Sequence, residues 1–320
     1  MTQCGEIRCG CSPGECCGGD ECERSGDTLQ RLTGTLYIVA TPIGNLEDIT
    51  LRALRVLRDE VATIACEDTR QTKKLLAHYA IRKPLLSYHE HNEVSRTAEL
   101  IQLLRDGESI ALVSDAGTPL LSDPGFRVVN AAVEAGIRVV PVPGATAALS
   151  ALTGSGLPTD SFLFLGFLPL KPAALRKRLE SVAGEQATLV AYESPHRILE
   201  TLTALHEVWG ERRVILAREL TKIHEEFLRG TAAEIRGELE SRPSIKGEIT
   251  LVIAGAEESR ISGDPAEEVW RREAEGIPRM EAIKSVAKQM QLPKREVYRR
   301  VAERDSNPQG RNRDLDRTDQ

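Results

Sequence analysis

Four polar segments carry the residue types that chemistry needs, and each follows a short apolar run. Cys66-Glu67-Asp68-Thr69-Arg70 sets two adjacent carboxylates beside an arginine. Such a group can accept hydrogen bonds from a ribose or a cofactor ammonium, and one carboxylate can polarise a hydroxyl. Equally, Asp68 can cap a helix and pair locally with Arg70. Tyr88-His89-Glu90-His91-Asn92-Glu93 holds two imidazoles at alternate positions, a spacing open to a metal. No third ligand stands at a matching spacing, so a polar loop facing a substrate is the reading taken and no metal is expected. Ser114-Asp115-Ala116-Gly117-Thr118-Pro119 and Pro141-Val142-Pro143-Gly144-Ala145-Thr146-Ala147 are built differently, from small residues and proline. Small side chains let the backbone approach a planar adenosine or a methionine tail, and proline fixes the turn. Either alone can be a tight loop; their repetition points to a nucleotide-like ligand.

The elements that must position these segments are apolar runs separated by helical patterns from Gly34 onward, the mark of an α/β unit with both sheet faces covered. Strands are expected at 36–40, 61–65, 110–113 and 139–142, with an extended segment at 84–88. Asp48 or Thr50 caps a first helix; further helices are expected near 73–79, 94–105 and 127–135, and Pro143 to Ala147 opens another. Loops follow strand ends, where open α/β sheets place ligands. Gly154-Ser155-Gly156-Leu157-Pro158 interrupts the pattern and reads as a domain joint. Beyond it, strands near 162–165, 188–192, 214–217, 226–229 and 249–253 alternate with helices near 173–182, 198–208 and 232–239. Past Ala254 the chain turns polar, and the spacing of Ile283, Val286, Ala287 and Met290, then of Val297 and Val301, predicts two short helices with their bases facing outward. The expected organisation is a leader over 1–32, α/β domains over 33–153 and 154–256, a basic helix-turn-helix-like module over 257–304, and a disordered tail over 305–320.

Absent motifs narrow the chemistry. The chain has no GxGxxG after a strand, no GxxxxGK[ST], no HExxH and no paired CxxC, and its one GxSxG, Gly10-Cys11-Ser12-Pro13-Gly14, lies in the leader with no apolar strand before it; the usual marks of Rossmann dehydrogenases, P-loop ATPases, zincins and α/β-hydrolases are therefore missing. Six of the seven cysteines (Cys4, Cys9, Cys11, Cys16, Cys17, Cys22) fall in the leader, so the body is not built on disulfides. That leader, which contains no histidine, is expected to be disordered or to reflect a start codon placed too early, against the alternative of a soft metal held at irregular spacing. No run approaches the roughly 18 apolar residues of a membrane span, and the N-terminus lacks a secretory pattern, so a cytoplasmic protein is expected.

A net charge of -6 conceals asymmetry: residues 276–304 hold eight bases against three acids. Aromatic residues, at 4%, are too sparse for a surface built on stacked bases, so a nucleic-acid partner would be met through its phosphates.

The segments TPIGNLEDIT (41–50), EDTR (67–70), HEHNE (89–93), SDAGTP (114–119), SDPG (122–125), VPGATAALSAL (142–152), SGLP (155–158), GFLP (166–169), YESPHR (192–197), ARELTK (217–222) and KGE (246–248) together resemble the ribosomal RNA small subunit methyltransferase I family, over about residues 33–304. The resemblance implies a tetrapyrrole-methylase-like fold: two α/β domains with S-adenosyl-L-methionine in the cleft between them. It implies 2'-O-methylation of a cytidine in 16S ribosomal RNA and a homodimer. It places Pro42, Asp115, Ala116, Gly117, Pro143, Thr146, Ala147, Lys246, Gly247 and Glu248 at the donor, and Glu67, Asp68, Arg70, His89, Asn92 and Glu93 at the RNA nucleotide. Glu67 or Asp68 is the expected proton acceptor, with His89 in reserve. Arg176, Lys177, Lys294, Arg295, Arg299 and Arg300 are expected to hold phosphates of the RNA or the assembled subunit. One departure is Pro143-Gly144-Ala145-Thr146, where many relatives carry Pro-Gly-Pro followed by Cys or Ser. The alternatives are a small-molecule methyltransferase of the same fold and a noncatalytic ribosome-assembly factor.

Overall fold

The computed structural model describes residues 33–256, 263–290 and 292–306. The Cys-rich leader, and the tail after Ser306, lie outside the described residues. Two five-stranded sheets organise the rest. The first contains β1 (Thr35–Val39), β2 (Thr63–Cys66), β3 (Leu85–Ser87), β4 (Ile110–Val113) and β5 (Arg138–Val142), all parallel, in the order β3-β2-β4-β1-β5. Alternate residues serve opposite faces, as the strand repeat requires. Leu36, Ile38, Ala65, Ile110 and Leu112 pack under α3 (Glu93–Arg105) and α4 (Phe126–Glu134). Val39, Ile64, Cys66, Ala111 and Val113 pack against α1 (Leu51–Arg55), its π-helical continuation to Glu60, and Leu76 of α2 (Thr69–His78). Thr50, rather than Asp48, caps α1 by accepting from the Ala53 amide at 3.0 Å.

α5 (Ala147–Ser155) ends at Gly156, whose left-handed conformation (φ 79°) turns the chain out of the helix and into the second sheet. That sheet runs β6 (Phe162–Phe167), β7 (Thr188–Glu193), β10 (Ile249–Ile253), β8 (Arg213–Arg218), β9 (Glu226–Thr231), with only the β6–β7 pair parallel. One face carries Leu189, Ala191, Leu216 and Leu251 under α6 (Pro172–Ser181), α7 (Ile198–Trp209) and α8 (Ala232–Glu240). The other carries Val190, Ile215, Ala217 and Val252 against Ala148, Ala151 and Leu152 of α5 and Ile43 from the loop after β1. The second sheet is thus packed directly on the first unit, with the ends of the parallel strands at the contact.

The C-terminal region departs from expectation: it has three helices, α9 (Pro265–Ala274), α10 (Arg279–Gln289) and α11 (Lys294–Asp305), around a small core of Val269, Ile283, Val286, Val297 and Val301. Apolar spacing did not reveal α9 because an ion pair occupies part of its buried stripe. Glu268 and Arg272, 9% and 8% exposed, meet at 2.9 Å, and Arg272 reaches Ser285 at 2.5 Å. α11 also runs on into Asp305, the first residue assigned to the tail.

Candidate active site

The parallel sheet delivers its functional loops to one edge. Thr41 and Gly117, leaving the neighbouring strands β1 and β4, exchange backbone hydrogen bonds of 2.9 and 3.1 Å, and the Thr41 hydroxyl donates to the Ser114 carbonyl at 3.0 Å. Gly117 has a φ of 85°, and a β-carbon there would stand 3.3 Å from Ile43 Cγ2. The lacing therefore holds the Asp115-Ala116-Gly117 backbone bare and close to the cleft. Thr118 donates its hydroxyl to the Ala145 carbonyl at 3.1 Å, tying in the loop after β5. The Asp68 amide donates to Asp115 Oδ1 at 3.1 Å, which adds the end of β2.

Opposite these loops stand Phe167 of β6, Tyr192 and Pro195 around the end of β7, and the Gly247–Glu248 turn that enters β10. Together they enclose a cavity of about 350 Å³ whose wall includes Asp115, Ala116, Gly117, Thr146, Ala147 and Asp123 and, among the described residues, no lysine or arginine. A second chamber of about 670 Å³ adjoins it through Ile43, Asp115, Ala116 and Glu248, and extends past Pro42, Gln71, Lys74 and Lys222. Non-glycine residues with positive φ cluster beside these spaces: Leu120 and Ser122 before Asp123, and Glu219 and Thr221 before Lys222. Backbone strain of this kind concentrates where a chain is held for function.

Three carboxylates face one another with little to neutralise them. Burial first, and the Glu67 charge second, push Asp123 up to about 6. Glu67 is also held above the ordinary range, by loss of water around its carboxyl and then by Asp115, although the residue as a whole stays exposed. Asp68 goes the other way. Arg70 donates to it from its backbone at 2.8 Å and from its guanidinium at 3.0 and 3.2 Å, keeping its carboxyl below the usual range. Adjacent in sequence, Glu67 and Asp68 have been given opposite characters: one suited to take a proton, the other spent on capping α2.

Comparison with known proteins now identifies the family. Residues 35–236 match the family model of Tetrapyrrole (Corrin/Porphyrin) Methylases. Over 273 residues the chain is 50% identical to ribosomal RNA small subunit methyltransferase I of Halalkalibacterium halodurans, covering 83% of this chain and 93% of that one. It is 46% identical over 275 residues to the protein of that name from Bacillus subtilis, again covering 83% and 93%. The chain belongs to the ribosomal RNA small subunit methyltransferase I family. Among solved structures it is similar to the methyltransferase CobJ, at 21% identity and a TM-score of 0.53, covering 72% of this chain and 98% of that one. The shared two-sheet fold of the methylases is what that likeness shows.

Within this methyltransferase fold, the residues singled out from sequence separate into groups. Asp115, Ala116, Gly117, Thr146, Ala147, Gly247 and Glu248 share the cavity wall, and Pro42 lines the adjoining chamber. Pro143 and Lys246 are exposed and do not line either space; the Lys246 carbonyl instead accepts from Arg218 at 3.0 Å. Asn92 accepts from the His89 amide at 2.9 Å, and its own amide group donates to the Ser87 carbonyl at 3.1 Å and lies 3.2 Å from His89 Nε2. His89 Nδ1 is buried and has no hydrogen-bond partner among the described residues. Glu93 is held by Arg127 at 2.5 Å.

The six expected phosphate contacts also divide. Arg176 pairs with Glu180 and Glu207, both at 3.1 Å. Arg299 pairs with Glu296 and Glu303, and Arg300 with Glu296. Arg299 and Arg300 are exposed, and helical spacing sets acids one turn away from both. Lys177, Lys294 and Arg295 have no acidic partner among the described residues.

Sequence reading missed Asp123, Tyr192 and Phe167 as cavity residues. The SDPG and YESPHR segments that hold Asp123 and Tyr192 were visible, but a turn containing Asp-Pro-Gly reads first as a turn. Phe167 stood in the GFLP segment, beyond the strand expected at 162–165, and β6 in fact runs on to include it.

Proposed function

We propose that this chain transfers a methyl group from S-adenosyl-L-methionine to the 2'-hydroxyl of a cytidine in 16S ribosomal RNA, as free RNA or in the small subunit, and that it works in the cytoplasm as a homodimer. The observation that carries the reading is the wall of the smaller cavity. It sets Asp115, Asp123 and Glu248 around a bare Ala116–Gly117 backbone, with apolar Ile43, Phe167 and Pro195 and, among the described residues, no basic side chain. A ligand suited to it has a flat apolar part and positive charge, and S-adenosyl-L-methionine has both in its adenine and in its sulfonium and ammonium groups. The volume falls in the range of small-molecule sites, about 300–1,000 Å³.

When bound, that donor supplies an electrophilic methyl group on a positively charged sulfur. The chain's own residues do the remainder. Asp115 and Asp123 attract the positive centre, while Gly117 and Ala147 admit the planar part. Holding the sugar oxygen in line with the methyl group removes much of the entropic barrier. Glu67 accepts the hydroxyl proton: its raised basicity suits proton removal near neutral pH, and it stands within electrostatic reach of Asp115 and Asp123. Asp68 is the poorer base because Arg70 stabilises its ionised form. His89 and Asn92 form one wall of the nucleotide approach. Lys177, Lys294 and Arg295 supply supplementary phosphate contacts. Exposed Phe126, Val133 and Ile223, at 73%, 63% and 98%, supply apolar surface for self-association. Sedimentation of the purified protein tests the dimer.

Labelled methyl transfer to purified small subunits and to naked 16S RNA, followed by mass mapping of the nucleoside, tests the reaction. The expected product is 2'-O-methylcytidine. A methyl group mapped to a base, or transfer to neither substrate, overturns the reading.

A further inference from the structure

The chain between Thr69 and His89 holds Arg70, Lys73, Lys74, Arg82 and Lys83 and not one acidic residue. It forms α2, the turn after it, and β3 at the open edge of the parallel sheet. Lys73, Lys74 and Arg82 are exposed, and none forms an ion pair with any described residue; Lys74 donates a hydrogen bond to the Gln71 side chain at 3.3 Å. Lys83 is half-buried and donates to the Val61 carbonyl at 2.6 Å, which anchors the turn. Lys73, Arg82 and Lys83 line a groove of about 810 Å³ floored by Leu76 and Ile81. On its other side α2 turns Gln71, Lys74 and Leu75 into the chamber beside Asp115. This helix is therefore the partition between the cleft and an outer basic groove, and it begins two residues after Glu67.

We propose that the α2–β3 face holds the sugar–phosphate backbone of the substrate RNA strand as it enters the cleft; this rests on the RNA-methylating reading above. α2 is about 15 Å long, which matches roughly four nucleotides of a stacked strand at about 3.4 Å each. Unpaired ammonium and guanidinium groups along such a path meet successive phosphates without reading bases. The carboxylates of the cleft repel phosphate, so a cationic rail beside them keeps the backbone out and lets the sugar in. Lys74, which belongs to the chamber, marks where the strand turns inward.

The test is binding of the full-length protein, with donor present, to unmethylated small subunits over a series of salt concentrations. The Lys73→Ala/Lys74→Ala/Arg82→Ala variant is compared with Arg299→Ala/Arg300→Ala and with Lys73→Arg/Lys74→Arg. The first is expected to lose at least about tenfold in RNA affinity and to show a shallower salt dependence, by roughly 0.7–0.9 in log–log slope per lost phosphate contact. Its donor affinity and melting temperature stay at the wild-type values, and the arginine variant binds as wild type. Equal RNA affinity and slope in the triple-alanine variant and the wild type overturn the rail. If the wild type itself neither binds nor methylates subunits, the functional reading fails, and the rail with it.

Discussion

Two stretches of this chain look alike as charge runs, one in α2–β3 and one in α10–α11, and folding treats them oppositely. In the C-terminal helices Arg299 and Arg300 meet Glu296, Arg304 meets Asp264 and Glu267, and Arg279 meets Asp305. Once α9 is included, residues 263–306 hold ten bases and nine acids. Among the described residues the bases of α2–β3 face no comparable set of acids, and only Arg70 forms an ion pair. A run of positive charge along a sequence therefore says little about positive potential on a surface; what decides is which acids the neighbouring elements bring back.

The comparison can be broken most forcefully at the residue that begins α2's approach. Replacing Glu67 with Gln should lower the turnover number by about 10²- to 10⁴-fold, the usual contribution of a positioned base, with donor affinity nearly unchanged. Stopped transfer together with lost donor binding would instead make Glu67 part of the donor pocket.

Arg272→Ala probes the other region. It removes the inward-facing partner of Glu268, which keeps Arg271 at 2.6 Å, and should destabilise the C-terminal helices by about 1.5–3 kcal/mol, melting them before the rest of the chain in differential scanning calorimetry. If those charges are chiefly internal, RNA affinity at moderate salt falls by no more than about threefold, the loss of one or two weak phosphate contacts. A collapse of RNA binding would make the C-terminal helices the main anchor and reverse the contrast.

Asp123→Asn should have a smaller effect that depends on pH. Asp123 titrates near 6 in the fold against 3.8 ordinarily, so its protonated form favours folding. That contribution is complete below about 4 and is lost as pH rises through about 6. The variant should therefore melt higher than wild type at pH 7.5 without donor, and its stability should lose the dependence on pH between 4 and 6. Donor affinity, which in the wild type strengthens over the same interval as the carboxylate ionises, should become flatter.

The smallest change is expected of Arg299→Ala/Arg300→Ala, because exposed ion pairs contribute about 0–1 kcal/mol and the two arginines are already occupied. Its RNA affinity should stay within about twofold of wild type in a filter-binding titration.

Much of the scaffold was legible because parallel strands buried on both faces are written as unbroken apolar runs, and β4 and β10 came out with their observed limits. The second strand begins two residues later than its apolar run suggested, because the π-helical turn at Val56–Glu60 carries the preceding helix further. α9 was illegible for the converse reason: its buried face is partly ionic, and hydrophobic periodicity cannot see Glu268 and Arg272 as core residues. At the site, small-residue loops after β4 and β5 were legible as backbone surfaces for a ligand. The capping of α2 by Asp68 and its pairing with Arg70 were open to view as one of two readings; the raised basicity of Glu67 was not, since it depends on burial and on Asp115, which only the fold brings near.

The crowding of Glu67, Asp115 and Asp123 has a thermodynamic corollary. An empty cleft stores electrostatic repulsion, and a cationic occupant discharges it. Methyl donation converts a charged sulfur to a neutral thioether, so in the proposed reaction Asp115 and Asp123 hold the incoming reagent more strongly than the spent one. Turnover is thereby biased forward, toward vacating the pocket, without any moving part.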